Sequence, residues 1–174
     1  MLRNAEYIYD NIIIADGIHT TKAFCKKAQV GVDLSLRNVY NIVTPGHISK
    51  DKSKVSEYSL IPPSGEGWFL PQGSYIAELN EGVRIPETES CIIIQRSSLN
   101  RSGCTIISSL WDNGYTSQNG EVINSITVRL NVDTPMGVYI DKDTRVAQII
   151  AMTTEEASLY NGQFQGGLHQ SNKL

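Results

Sequence analysis

The sequence predicts a mostly β protein, and three observations carry that prediction. Its 174 residues hold 20 Ile and 11 Val against 12 Leu and 8 Ala, an excess of β-branched side chains that suits strands better than helices. From Trp68 onward, short apolar segments are punctuated by Gly, Pro, Asn and Asp, at the spacing of about 8 to 12 residues typical of a sandwich or barrel. Residues 121–132 alternate, with Val122, Ile126, Val128, Leu130 and Val132 separated from Thr127, Arg129 and Asn131, the period of a half-buried strand.

Length and composition fit a single folded domain: 40% of residues are hydrophobic and 19% charged, far from a disordered composition. The net charge of −3 argues against a protein that coats DNA or RNA, which needs clustered Lys and Arg; a small anionic ligand remains compatible. Cys25, Cys91 and Cys104 are an odd number at no metal-ligand spacing, so neither a disulfide framework nor a zinc site is implied, and a reducing compartment fits best. His19, His47 and His169 are far apart and read as surface or loop residues. The longest apolar runs, Ile12 to Ile14 and Cys91 to Ile94, are too short to span a membrane, and no basic segment followed by an apolar one opens the chain. The expected location is the cytoplasm.

In chain order, residues 1–43 read as irregular short elements, with a brief helix over 21–29 ahead of Gly31-Val32-Asp33-Leu34. Residues 44–67 turn polar and rich in Pro and Gly, which predicts either a long exposed loop or a pair of poor strands. We read it as an insertion within one β-domain, 1–160. Strand signals follow at 68–70, 74–79 and 83–85, with turns at Pro71-Gln72-Gly73 and Asn80-Glu81-Gly82, then at 91–94, 121–132 and 144–152. Residues 155–160 could form one helical turn. The remainder, 161–174, is too polar to pack alone and reads as a flexible C-terminal arm that orders on a ligand.

Three segments carry chemistry. Directly after the strand at 91–94 comes Gln95-Arg96-Ser97-Ser98-Leu99-Asn100-Arg101-Ser102-Gly103. Arg96 offers a planar fork for phosphate oxygens, and Ser97 and Ser98 add hydroxyls and backbone N–H groups; Ser-Ser is equally an ordinary helix start. In Trp111-Asp112-Asn113-Gly114-Tyr115, Asn-Gly is a strong hairpin turn that would let Asp112 and Tyr115 project from one sheet end. An ordinary aspartate ionises near pH ~4 and so can act as a base toward water; the plain alternative is that Asp112 caps the turn. In Arg145-Val146-Ala147-Gln148-Ile149-Ile150, one amide interrupts an apolar strand, and a buried Gln148 would need partners from the backbone or a ligand.

In this order, Gly31 to Ser35, Phe69 to Tyr75, Asn80-Glu81 before Ile85-Pro86, QRSSLNRSG, WDNGY and RVAQII resemble successive motifs of the dUTPase and dCTP deaminase superfamily. The Asp-x-Gly-Tyr form and the closing Tyr160 to Gln165 segment resemble its archaeal-type, dCTP deaminase-like branch. The resemblance implies a distorted antiparallel β-barrel, jelly-roll-like, with one or two short helices, and a homotrimer with sites between subunits. It implies hydrolysis of dUTP to dUMP and pyrophosphate, with Asp112 activating the water that attacks the α-phosphate. Arg96, Ser97, Ser98 and Gln148 would hold the triphosphate, Asp33 would support the site, and Tyr115 would pack under the deoxyribose and exclude ribonucleotides. The backbone at 107–110 would read uracil, while Phe164 and Gln165 would close over the nucleotide. Magnesium is expected on the phosphates and waters with no direct protein ligand. Two alternatives accompany this reading: a dCTP deaminase, alone or coupled to hydrolysis, and a non-catalytic nucleotide-binding homologue that acts on a regulatory protein partner. In the deaminases of the family this chain resembles, a Glu on the strand after the Asp-x-Gly turn handles the proton transfers, and the resemblance puts Arg129 at that position; an always-charged Arg cannot shuttle protons. The family's Gly two positions after Tyr115 is replaced by a longer stretch, 116–120, which implies a lengthened hairpin.

Overall fold

Backbone pairing in the computed structural model, which describes residues 1–15, 17, 19–115, 117, 118, 121, 122 and 125–155, is antiparallel throughout. Helix α1 (Ala5–Asn11) is followed by β1 (Ile13–Ile14), β2 (Lys26–Lys27), β3 (Val32–Ile42), β4 (Tyr58–Ile61), β5 (Gly67–Leu70), β6 (Gly73–Leu79), β7 (Gly82–Val83) and β8 (Glu89–Gln95). Then come α2 (Ser97–Arg101), β9 (Cys104–Ile107), β10 (Ser117–Gln118), β11 (Glu121–Val122), β12 (Thr127–Val132), β13 (Val138–Asp141) and β14 (Arg145–Thr153).

The main sheet has the order β8-β14-β3-β6-β12-β9, with β2 and β4 also paired to β3. Strand β3 makes this possible because its first half pairs with β14 and its second half with β6, the change falling at a register shift between Leu36 and Asn38. Bulges of this kind bend a strand and raise its twist. At the other side, Cys91 and Trp111 exchange backbone hydrogen bonds of 2.8 and 2.9 Å, tying edge strand β8 to the segment after β9. The sheet ends are thereby drawn into a nearly closed, distorted β-barrel.

The barrel interior takes the inward residues of each strand: Val32, Leu34 and Leu36 from β3, Ala77 and Leu79 from β6, Val128, Leu130 and Val132 from β12, and Ile149 and Ala151 from β14. Trp68 and Trp111 both belong to this core, their indole N–H groups satisfied by the Ile61 carbonyl and Ser108 Oγ. All three cysteines are free. Among the described residues no helix is long and apolar enough to cross a membrane.

Three expectations need correction. The N-terminal helix is α1, not 21–29: Asn4 caps it by accepting from the Tyr7 N–H at 2.9 Å, whereas Lys26 and Lys27 join the β3 ladder. Alternation does not make 121–132 one strand; Glu121–Val122 pairs with Ser117–Gln118 as a separate hairpin, and β12 begins at Thr127. Finally, Asn113-Gly114 does not close a strand pair. The turn is joined by Tyr115 N–H to the Asp112 carbonyl, 3.2 Å, and only Gly114 has positive φ, +87°. A two-residue type I′ hairpin needs positive φ at both central positions, so this turn leads the chain onward to β10 instead. The 44–67 segment contains a strand, β4, on the distal half of β3, while residues 45–54 are mostly exposed. The proposed helical turn at 155–160 and the arm at 161–174 lie, but for Glu155, outside the described residues.

Candidate active site

Two groups of predicted residues assemble on the barrel, and they are separate. The first forms on the outward face where β3, β14 and β8 lie side by side. Register puts Gln148 directly opposite Asp33 on one side and Ile94 on the other, and directly opposed residues share a face. Arg96, at the N-terminal end of α2, folds back over this row. Its Nε lies 2.9 Å from Asp33 Oδ2, and its Nη1 donates to the Arg145 carbonyl at 3.2 Å. Gln148 Nε2 donates to Asp33 Oδ1 at 3.1 Å, so the amide inside the apolar strand is satisfied by a side chain. Asp33 is only 5% exposed, and both its oxygens are engaged by groups that fix Arg96 and Gln148 in place.

Gly31 is part of this construction. A Cβ there would sit 2.6 Å from the Ile149 carbonyl oxygen and 2.7 Å from Gln148 Cγ, closer than carbon packs, so only glycine lets the start of β3 pass over Gln148. Ser97 and Ser98 open α2 with exposed side chains, and the N–H groups of a first helical turn have no partner within the helix. This end of the barrel therefore offers a fixed guanidinium, an amide and free hydroxyls, a set suited to an anion.

The second group surrounds Asp112. Ser90 lies on the outward face of β8 and donates from Oγ to Asp112 Oδ1 at 2.8 Å, so one carboxylate oxygen is oriented while Asp112 stays partly exposed. Trp111, buried beneath it, meets the Tyr115 ring edge-to-face with centroids 4.7 Å apart and planes at 66°, which holds the tyrosine next to the carboxylate. Cys91 lies inward of this pair, and burial, followed by the charges of Glu89 and Asp112, pushes its thiol up to about 12. It is therefore a neutral packing residue and not a nucleophile.

Within one chain these groups do not meet. Asp33 is level with Ile94, and Asp112 is bonded to Ser90, four residues away along β8. At about 3.3 Å per residue and 4.8 Å per strand, that is about 13 Å along the sheet and 10 Å across it. Arg129 occupies the outward face of β12 between Ile76 and Ile107, with no carboxylate directly opposite it. Phe164 and Gln165 lie outside the described residues. Sequence reasoning missed Ser90 and Arg145. Ser90 carries no local signal, since a polar residue on an outward strand position is ordinary; only the Cys91–Trp111 pairing brings it to Asp112.

The chain belongs to the dCTP deaminase-like family, whose sequence profile matches residues 5–154. A probable deoxyuridine 5′-triphosphate nucleotidohydrolase of Methanococcoides burtonii is 34% identical over 140 residues, 78% of each chain. Its namesake in Halobacterium salinarum is 29% identical over 144 residues, covering 78% of this chain and 80% of that one. Solved structures share the fold: the 2′-deoxycytidine 5′-triphosphate deaminase of Agrobacterium tumefaciens superposes with a TM-score of 0.58 at 16% identity, over 86% of this chain and 46% of that one. The dUTPase of Streptococcus mutans gives 0.51 at 17% identity, over 87% and 99%.

Proposed function

We propose that the protein is a dUTP diphosphatase, which cleaves dUTP to dUMP and pyrophosphate. The observation that carries this reading is the pairing of an oriented, partly exposed carboxylate, Asp112, with a β12 position held by Arg129. The first can deprotonate water; the second cannot perform the proton transfers of cytosine deamination. Relatives named as dUTP nucleotidohydrolases support the same choice. In this proposal Ser90 holds Asp112 so that its other oxygen faces the attacking water, and Tyr115 supports the sugar beside it. Arg96, Ser97, Ser98 and Gln148 hold the phosphates, with Asp33 fixing the first and last of these. Phe164 and Gln165 complete the proposal as closing residues of the arm.

The estimated separation of Asp33, which holds Arg96, from Ser90, which holds Asp112, supports a site shared between copies. A homotrimer, in which Asp112 and Tyr115 of one subunit face Arg96 and Gln148 of another, satisfies that requirement. Magnesium fits on the phosphates: Asp33, whose oxygens already accept from Arg96 and Gln148, suits a water-bridged contact better than direct ligation. When bound, the ion neutralises phosphate charge. Among the described residues no group of three or more His, Cys, Asp or Glu side chains is placed to hold a metal itself.

Asp112→Asn tests the reading. It should lower pyrophosphate release from dUTP by about 10²-fold or more, the usual contribution of a general base, with nucleotide binding retained; full activity would refute the role. The family's name keeps dCTP deamination as the second reading, and ammonia release from dCTP would establish it.

A further inference from the structure

Asp112 is held by Ser90, and Ser90 sits beside an anchor that the proposed site does not use. Strand β3 pairs with β14 only as far as Ile149, and residues 1–3 take up the edge beyond it. Leu2 pairs with Met152, and the Arg3 N–H donates to the Ala151 carbonyl at 2.9 Å. On the other edge of β14, Met152 is opposite Ser90 and Ala151 is opposite Cys91, which bridges in turn to Trp111. One row therefore runs from Arg3 through Ala151 and Cys91 to Trp111, and the next from Leu2 through Met152 to Ser90 and its bonded Asp112.

Side chains lock the same place from inside the barrel. Glu89, the residue before Ser90, shares the inward face of β8 with Cys91 and Ile93, and its side chain is wholly buried. Three N–H and O–H groups converge on its Oε1: Arg3 Nε at 2.7 Å, Arg3 Nη2, and the Tyr7 hydroxyl at 3.2 Å. The Arg3 guanidinium also lies over the Tyr7 ring, 4.5 Å from its centroid, so arginine, tyrosine and carboxylate close a triangle. A buried carboxylate needs such partners, because removing one leaves its charge uncompensated. Ala5 and Ile8 already bury α1 against the barrel; the ion pair adds direction, since a planar guanidinium meets an oxygen in few geometries. It fixes Glu89 on one side of Ser90, while the Trp111 bridge fixes Cys91 on the other. A serine clamped between two fixed neighbours has a set direction for its hydroxyl, here toward Asp112 Oδ1.

We propose that Arg3 and Glu89 are positioning residues for Asp112, acting through Ser90. A misplacement of about 1 Å can cost about 100-fold in rate, so this anchor bears on turnover without touching the nucleotide. Its effect on rate rests on the proposed hydrolysis, in which Asp112 is the base; the mechanical link from Arg3 to Trp111 does not.

Two measurements on the full-length chain test it. In turnover of dUTP, Arg3→Ala should lower kcat about 10-fold and leave KM within about two-fold. Arg3→Ala combined with Ser90→Ala should stay within about two-fold of Ser90→Ala alone, because both changes break one path. Arg3→Lys, which keeps the charge and loses the planar contact, should fall between wild type and Arg3→Ala, and it carries the test if Arg3→Ala does not fold. In proton–nitrogen NMR spectra of the same proteins, the indole N–H signal of Trp111 should shift and that of Trp68 should stay, a separation that general loosening of the fold would not give. Losses in kcat that multiply in the double variant, a change in KM as large as that in kcat, or an unmoved Trp111 signal overturns the proposal. A wild type that releases no pyrophosphate from dUTP, with the Trp111 shift present in the variants, would keep the link from Arg3 and overturn the hydrolase reading instead.

Discussion

Replacing Glu81 by Gln removes a proton-binding group that the fold buries completely. Glu81 is 0% exposed, and burial pushes its carboxyl up to about 7, against the opposing effect of hydrogen bonds from Ser35 Oγ at 2.6 Å and Ser35 N–H at 3.0 Å. In the unfolded chain the same carboxyl ionises near its ordinary 4.5. Below that pH both states carry the proton and the full stability is present. Between 4.5 and 7 only the unfolded state releases it, so stability falls as pH rises. At about 1.4 kcal/mol per pH unit the loss comes to about 3 kcal/mol. The glutamine side chain of the variant cannot ionise. Its amide can accept from the Ser35 N–H and donate to Ser35 Oγ, which has lone pairs for both that donor and Asn80 Nδ2, already 3.0 Å away. Urea unfolding of wild type and Glu81→Gln at pH 4.5 to 8 measures the difference. The expected result is similar stability at the acid end and a variant up to about 3 kcal/mol more stable above pH 7. Parallel pH profiles for the two proteins would refute the burial argument.

Three further outcomes follow from the packing. Asp33→Asn should remove the ion pair to Arg96 and leave a half-buried guanidinium, costing about 1–3 kcal/mol in urea unfolding and raising KM for dUTP more than it lowers kcat. Gly31→Ala should cost about 1–3 kcal/mol by driving a methyl group into Ile149 and Gln148, with a loss of nucleotide affinity that Gly31→Ser does not recover. Tyr115→Ala removes the ring packed on Trp111; it should narrow the ratio of dUTP to UTP turnover, measured as kcat/KM for each.

Most of the barrel was legible in the sequence because its strands alternate cleanly or run continuously apolar. Val128, Leu130 and Val132 point inward and Thr127, Arg129 and Asn131 outward, as alternation requires. What failed was local and was decided by contacts the pattern does not carry. Helix α1 rests on an Asn4 cap and on burial of Ala5 and Ile8, and its short apolar run gave too few turns to show a helical period. The Asn113-Gly114 pair read as a hairpin, yet the backbone signs at the two positions make it a simple turn. At the site, Asp33, Arg96 and Gln148 were each visible as residue types, but their mutual contact depends on the β3–β14–β8 register. Ser90 and Arg145 stayed hidden for the same reason: one is positioned by a single bridge at Trp111, the other by a bulge.

A dUTP diphosphatase of this kind hydrolyses dUTP and does not deaminate dCTP. Incubation of the purified protein and magnesium with dUTP, dCTP, dTTP and UTP, read separately for pyrophosphate and ammonia, tests it most directly. Pyrophosphate is expected from dUTP, with little from the other three and no ammonia from dCTP. Ammonia from dCTP, or no pyrophosphate from dUTP, would contradict it.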